Sequence, residues 1–488
     1  MRKITIFFIS LMILLLFYTF SNAQQDYEEW LKKQQEQFQE FKDARDKAFA
    51  EFLKKEWQAF ELFKGLKPDE TPKPVIFPAT IAKEIPADIQ SKKIKEIQLP
   101  KPPIKKESDS IEKFFSKILN KEDTLSFSFF DVSLKVKYDK AILKAILESP
   151  VNEKQISNYW AKLSRSNYED LLDQSKKLRE QMKLNDWGYC LLLSYIGETL
   201  YPNFENNIKL FTWFMLLKTG YDARIGYEKN EVFLLLPSKH IIYRAQYFDL
   251  DNKRYYVVTL NGEPKKVKEV YTYNGSYQGA QNLIGLNITN SPVIGQVIVD
   301  KKLKFLYGEK EFNVELKLKK DVINFFNNYP QTDYEVYFDA SLSPDARYSL
   351  LHNLKPIIEG KSEAEAVNIL LRFVQTAFEY KKDDVQFGRE KPFFAEETLF
   401  YPYSDCEDRS VLFAYLVRNL IGLEIIGLDY PGHIATAVKF STDIKGFIIK
   451  YNKEDYLICD PTYINANIGQ CMTKYEDLKP KLISIGGK

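Results

Sequence analysis

The sequence predicts an α+β protein assembled from several distinct segments. Three patterns carry that prediction. Apolar residues recur with helical spacing, as at Ala366, Ile369, Leu370, Phe373 and Val374, and they alternate with strand spacing along Phe312, Val314, Leu316 and Leu318. Between such stretches lies proline-rich punctuation. With 488 residues, of which 45% are hydrophobic and 15% aromatic, the chain can fill two or three cores.

The first 23 residues read as an export signal. Arg2 and Lys3 precede an apolar run from Ile4 to Phe20, and Ser21-Asn22-Ala23 supply small residues before Gln24. The run is slightly short for a membrane-spanning helix, which is the competing reading. A mature protein beginning near Gln24, in the periplasm or outside the cell, is the expectation. Residues 24–65 follow as an amphipathic helix. Its aromatic pairs Tyr27/Trp30, Phe38/Phe41, Phe49/Phe52 and Phe60/Phe63 are each displaced by eleven residues, three helical turns, so all eight rings share one face. Such a face either grips a partner, including a second copy, or docks on its own protein.

Residues 66–108 contain eight of the 21 prolines, interleaved with lysines, and read as an extended linker. Residues 109–262 follow as an α+β domain, with helices over Tyr168 to Met182 and Lys209 to Lys218 and strands around Glu231 to Leu236 and Arg254 to Leu260. A mostly β connecting region spans 263–345, and a final domain occupies 346–488. In that domain Ser362 caps a helix, with Glu365 three positions on as a capping box.

Composition excludes some partners. Lys and Arg total 69 against 67 Asp and Glu, a net charge of +2, so no global field draws nucleic acid or an anionic surface. Four cysteines cannot form a disulfide-dense scaffold, and Cys459 with Cys471 is the one pair placed to bridge.

Chemistry concentrates near the C-terminus. Ser404-Asp405-Cys406-Glu407-Asp408-Arg409-Ser410 precedes the apolar helical run from Val411, which puts a cysteine where a helix begins. The helix dipole and a nearby imidazolium both lower a thiol pKa there. Gly432-His433-Ile434 opens an apolar strand after a Pro-Gly turn, and Cys459-Asp460-Pro461-Thr462 ends another. Adjacent strands can set that aspartate on one imidazole nitrogen and turn the other toward the helix start, a nucleophile, base and orienter in sequence. The acids Asp405, Glu407 and Asp408 are explained by the helix dipole, and no His or Cys stands near them at zinc spacing. No metal and no cofactor are expected. His240, His352 and Cys190 read as packing residues.

The stretch from Ser362 to Cys471 resembles the transglutaminase-like superfamily, whose members carry Gly-Asp-Cys-Glu-Asp, Gly-His and Asp-Pro-Thr blocks in this order. Ser404 stands where glycine is usual. The resemblance implies a papain-like fold, a catalytic triad of Cys406, His433 and Asp460, and acyl transfer from an amide or peptide through a Cys406 thioester to water or an amine. The Cys406 N–H would be one oxyanion donor, and the sequence names no second. The alternative is a non-catalytic envelope protein that binds peptide or protein or acts as a scaffold.

An upstream segment follows the same order about 200 residues earlier. Glu198-Thr199-Leu200 and a helix ending at Gly220 parallel Glu397-Thr398-Leu399 and a helix ending at Gly422. If these are two copies of one fold, Phe204 and Glu231 stand at the Cys406 and His433 positions, and the first copy is inactive.

Overall fold

The computed structural model describes residues 30, 32–34, 36, 39, 40, 42–55, 57–61, 91–95, 97–101, 124–260, 267, 269–273 and 275–486. The export signal and most of the proline-rich linker lie outside the described residues. The protein is mixed α and β, with two large antiparallel sheets, each fed by a buried helix. Among the described residues no helix is long and apolar enough to cross a membrane.

Each half begins with a two-stranded hairpin. In the first, β2 (Thr124–Phe129) pairs with β3 (Val132–Lys137). Helices α1 (Glu153–Ser164), α2 (Glu169–Gln181), α3 (Asp186–Leu200) and α4 (Glu205–Lys218) follow, with Asn152 and Asn185 capping α1 and α3 through their side-chain oxygens. The chain then lays down β4 (Arg224–Glu228), β5 (Glu231–Pro237), β6 (Tyr247–Leu250), β7 (Lys253–Val258) and β8 (Glu269–Tyr273). These join β1 (Trp57–Glu61) in a sheet of order β1-β8-β4-β5-β7-β6.

The second half opens with β9 (Ile298–Tyr307) and β10 (Lys310–Lys319). Helices α5 (Lys320–Asn327), α6 (Tyr334–Phe338), α7 (Pro344–Ile358), α8 (Glu363–Thr376), α9 (Asp383–Phe387), α10 (Ala395–Phe400) and α11 (Cys406–Leu416) come next. Between them, β11 (Glu379–Tyr380) pairs in parallel with β12 (Tyr403–Ser404). The sheet of β13 (Glu424–Tyr430), β14 (His433–Lys439), β15 (Ile448–Tyr451), β16 (Glu454–Cys459) and β17 (Lys481–Ile483) has the order β15-β16-β14-β13-β17.

Read from its far edge, β6-β7-β5-β4-β8, the first sheet follows the strand order of the second, element for element. The helix before each sheet ends at a glycine in the left-handed region, Gly220 at φ 90° and Gly422 at φ 76°, where a side chain would be strained. The following hairpins close at Glu228↔Glu231 and Tyr430↔His433, so the two halves stay in register through the turn. The matched letters of the sequence thus coincide with a matched topology, and β8 adds a strand to the first unit that the 109–262 boundary left out. Residues 263–345 are correspondingly mixed, since they hold α5 and α6 as well as strands.

The single N-terminal helix expected over 24–65 is corrected. Helix runs through 42–52, residues 53–55 turn, and Trp57–Glu61 is a strand. The reason is long-range: five residues pair with β8 and cover a sheet edge that would otherwise leave its backbone groups unpaired. The helix face around Phe49 is docked on its own protein. Phe49 meets Trp160 at 4.7 Å and Tyr277 at 5.1 Å between ring centroids. Asp46 forms a buried ion pair with Lys218 and accepts from the Tyr277 hydroxyl at 2.9 Å.

The described part of the linker is docked too. Lys92 O accepts from Glu363 N–H at 2.6 Å and Ser91 Oγ from Ala364 N–H at 2.9 Å, so residues 91–94 run against the start of α8. Ser362 Oγ accepts from Glu365 N–H as expected, while the Glu365 carboxylate pairs with Lys361. Replacing Phe49 by Ala should cost about 3–5 kcal/mol. A lower unfolding midpoint in a denaturant titration would show it, whereas an unchanged midpoint would mean that the helix does not dock in solution.

Candidate active site

Cys406 is the first residue of α11, and its position is set one turn further on. The buried Arg409 donates from Nε to Ser404 Oγ at 3.1 Å, from Nη1 to Gln375 O at 3.2 Å and from Nη2 to Phe378 O at 2.8 Å. One guanidinium therefore fastens α11 to the end of α8 and to the strand leading into it. It also gives Ser404 a role that glycine could not fill. Asp408 accepts from Phe393 N–H at 2.8 Å and from Asp405 N–H at 3.2 Å, satisfying donors at the helix start. Ser410 Oγ donates to Ile434 O at 3.0 Å and ties the helix to β14 beside His433.

The three expected residues converge. His433 Nε2 lies 2.8 Å from Asp460 Oδ2, and both residues are 2% exposed. Asp460 Oδ1 accepts from Thr462 N–H at 2.9 Å and Tyr463 N–H at 3.3 Å, which fixes the carboxylate plane. Gln375 Nε2 holds the same loop through the carbonyls of Asp460, Tyr463 and Ala466 at 2.9–3.2 Å. The His433 ring stacks on Tyr475, 4.9 Å between centroids and 11° between planes. The Cys406 sulfur lies by the backbone of Ile434, the residue after His433, and its S–H donates to Glu407 Oε2 at 3.1 Å.

Burial dominates the electrostatics. Cys406 is 1% exposed, and burial pushes its thiol up, with Asp405 adding to the effect. This opposes the lowering expected from the helix dipole: desolvation of the charged form outweighs the N-terminal field at a site without water. Asp383, Asp405, Glu407 and Asp408 are buried side by side and all are raised, burial being the first cause in each; neighbouring acids add to it for Asp383, Asp405 and Glu407, whereas backbone donors and Lys391 oppose it for Asp408. The four are brought together by α9 and α11.

Sequence reasoning passed over three residues here. Asp383 and Glu390 come from the segment around α9, and nothing in their spacing announces that they meet Asp405 and Glu407. Tyr380 is delivered by the β11–β12 pairing, opposite Ser404. Its hydroxyl is buried without a hydrogen-bond partner among the described residues, close enough to Cys406 and Asp405 for both to raise it further after burial.

The remaining candidates pack as expected. His240 Nδ1 accepts from Leu286 N–H at 3.2 Å, His352 lies on Tyr348 with ring centroids 3.9 Å apart, and Cys190 is fully buried. All four cysteines are free thiols, Cys459 and Cys471 included. In the first half, strand register places Glu231 and Thr259 where the second has His433 and Asp460, and a gap-free count back from Gly220 puts Phe204, the N-cap of α4, where the same count from Gly422 gives Cys406. That half has neither thiol nor imidazole at these positions.

Glu396, on α10, offers a test of the buried acids. Its carboxyl meets Ser343 N–H and Oγ, both at 2.6 Å, and burial raises it to about 7. An acid raised on folding is stabilising while protonated, so stability is fully present below its ordinary value near 4.5 and falls as pH rises through about 7, by on the order of 3 kcal/mol. Glu396→Gln, which mimics the protonated form, should raise Tm at pH above 7 and flatten the Tm-versus-pH curve between these limits. Parallel curves for the two proteins would contradict this.

No family model, curated protein or solved structure matches the chain.

Proposed function

We propose that the chain is an exported, transglutaminase-like cysteine enzyme of papain-like fold that cleaves or transfers amide acyl groups through a Cys406 thioester. The observation that carries this reading is the convergence of three sequence-distant residues in one buried site: a thiol at a helix start, an imidazole on the adjoining strand, and a carboxylate 2.8 Å from that imidazole. A packing role needs no such trio.

With Asp460 on Nε2, the proton from Cys406 passes to Nδ1 of His433. The thiolate attacks the amide carbonyl, and the resulting oxyanion faces the Cys406 N–H at the start of α11. The imidazolium then protonates the departing amine, the C–N bond breaks, and the thioester remains. Water or a second amine, deprotonated by His433, attacks the thioester carbonyl; the C–S bond breaks, the acid or new amide leaves, and His433 returns the proton to sulfur. The Asp460 carboxylate steadies the imidazolium, its free rotation prevented by the N–H groups of Thr462 and Tyr463. Tyr380, through its buried hydroxyl, is the side chain best placed to serve as a second oxyanion donor.

The enclosed thiol favours a second reading, a binding protein without catalysis. Sγ is shut in, so a substrate carbonyl reaches it only if the cover around Thr473–Tyr475 or α9 moves aside. Iodoacetamide labelling followed by peptide mapping separates the two readings. The enzyme reading expects Cys406 to label well ahead of the equally buried Cys459, and His433→Ala to slow it about tenfold or more. Equal rates for Cys406 and Cys459, unchanged in His433→Ala, would establish the binding reading. Once an amide substrate is found, Tyr380→Phe should lower kcat on the order of 10²-fold with little change in KM. A change in KM alone would remove Tyr380 from the oxyanion site.

A further inference from the structure

We propose that Asp383, Glu390, Asp405 and Glu407 form a binding site for one divalent cation with hard oxygen preference, Ca²⁺ above all, directly behind the Cys406 thiol. Each contributes a carboxylate oxygen, and these four oxygens lie within 4.8 Å of one another. Ligands about 2.0–2.6 Å from one ion lie no more than about 5.2 Å apart, and four protein carboxylates suit Ca²⁺, which takes six to eight oxygens, better than Mg²⁺, which keeps several of its waters. Carboxylates alone, with no sulfur or imidazole in the set, select the same hard cations.

Proximity of acids is insufficient, and a separate observation points to a ligand. Asp405 is 0% exposed and faces the Glu407 carboxyl, and neither of its carboxylate oxygens meets an N–H donor among the described residues; the same holds for Glu407 Oε1. Buried carboxylate oxygens otherwise find donors, because leaving them bare costs the desolvation of a charge. The protein's own nearby cations are committed elsewhere. Lys391 pairs with Glu397, and Arg409 spends its donors on Ser404 and two carbonyls. No described ion pair joins Lys or Arg to Asp383, Asp405 or Glu407.

The site has an architectural consequence. Asp383 and Glu390 belong to the segment around α9, whereas Asp405 and Glu407 flank Cys406 itself. An ion held by all four would clip that segment to the start of α11, and its removal would loosen the two together. The site adjoins the proposed triad, since Glu407 accepts from the Cys406 S–H at 3.1 Å, but its occupancy is measurable whether or not the chain is an enzyme.

The full-length mature protein, stripped with a chelator, would be titrated with Tb³⁺ as a luminescent stand-in for Ca²⁺. Tyr334 and Tyr380 lie close enough to Glu407 to sensitise a lanthanide there. Expected are tyrosine-sensitised emission, its displacement by Ca²⁺ more readily than by Mg²⁺, one Ca²⁺ per chain by elemental analysis, and a rise in Tm of about 5 °C with millimolar Ca²⁺. The double variant Asp383→Asn/Glu390→Gln should weaken binding on the order of tenfold or more and lose the Ca²⁺-dependent rise, while its metal-free Tm equals or exceeds the parent's because repulsion is relieved. That last reading shows that the variant folds. No bound ion at millimolar Ca²⁺, Mn²⁺ or Mg²⁺, or binding and stabilisation that persist in the double variant, would overturn the proposal.

Discussion

Arg409 is the residue on which the geometry of the C-terminal half depends. Its guanidinium reaches Ser404, Gln375 and Phe378 at once, and each belongs to a different piece of the site: the approach to Cys406, the end of α8, and the chain leading to Tyr380. Gln375, whose carbonyl it holds, in turn grips the loop that presents Asp460. A planar donor with a fixed fork can join such partners without slack, where a lysine would leave most of them unpaired. Burial lowers Arg409 to about 10, still far above physiological pH, so the clamp stays charged.

Around that clamp the protein tolerates an unusual concentration of buried carboxyls. Asp408 and Glu397 answer backbone or lysine donors and act as structural pins. Asp405 and Glu407 have less to bind and are raised well above the ordinary range, first by burial, then Asp405 by Glu407 and Glu407 by Cys406 and Asp408. A low dielectric strengthens satisfied pairs and penalises unsatisfied ones, so such a cluster must be neutralised by protons or by a cation. The thiol of Cys406 shares this environment, which is why burial and neighbouring acids govern it more than the helix dipole.

The two halves show one frame put to different uses. Both carry a helix ending at a left-handed glycine, a hairpin closing at the same register, and the same order of antiparallel strands. The second half keeps Cys406, His433 and Asp460, whereas the first has Phe204, Glu231 and Thr259 at those positions. Conserving strand order requires only alternating apolar faces and turn residues, which many substitutions satisfy; a proton-transfer site requires particular atoms. The first half instead packs the N-terminal helix, with Phe49 among Trp160, Trp213 and Tyr277.

The sequence by itself determined whatever depends on neighbours within a few turns. The helices around Tyr168 to Met182 and after Ser362, the strands at Glu231 and Arg254, and the order of Cys406, His433 and Asp460 were legible because periodicity, caps and turns are local signals. The repeated order of elements was legible as well, through its glycine-ended helix and hairpin. Only the tertiary structure decided that Trp57–Glu61 is a strand, since its partner lies more than two hundred residues away. It alone brought Asp383 and Glu390 to Asp405 and Glu407, set the Tyr380 hydroxyl near the thiol, and reversed the expected shift of Cys406. Each of these depends on which segments exclude water from one another. That is a property of the packed chain, and no spacing along it encodes the result.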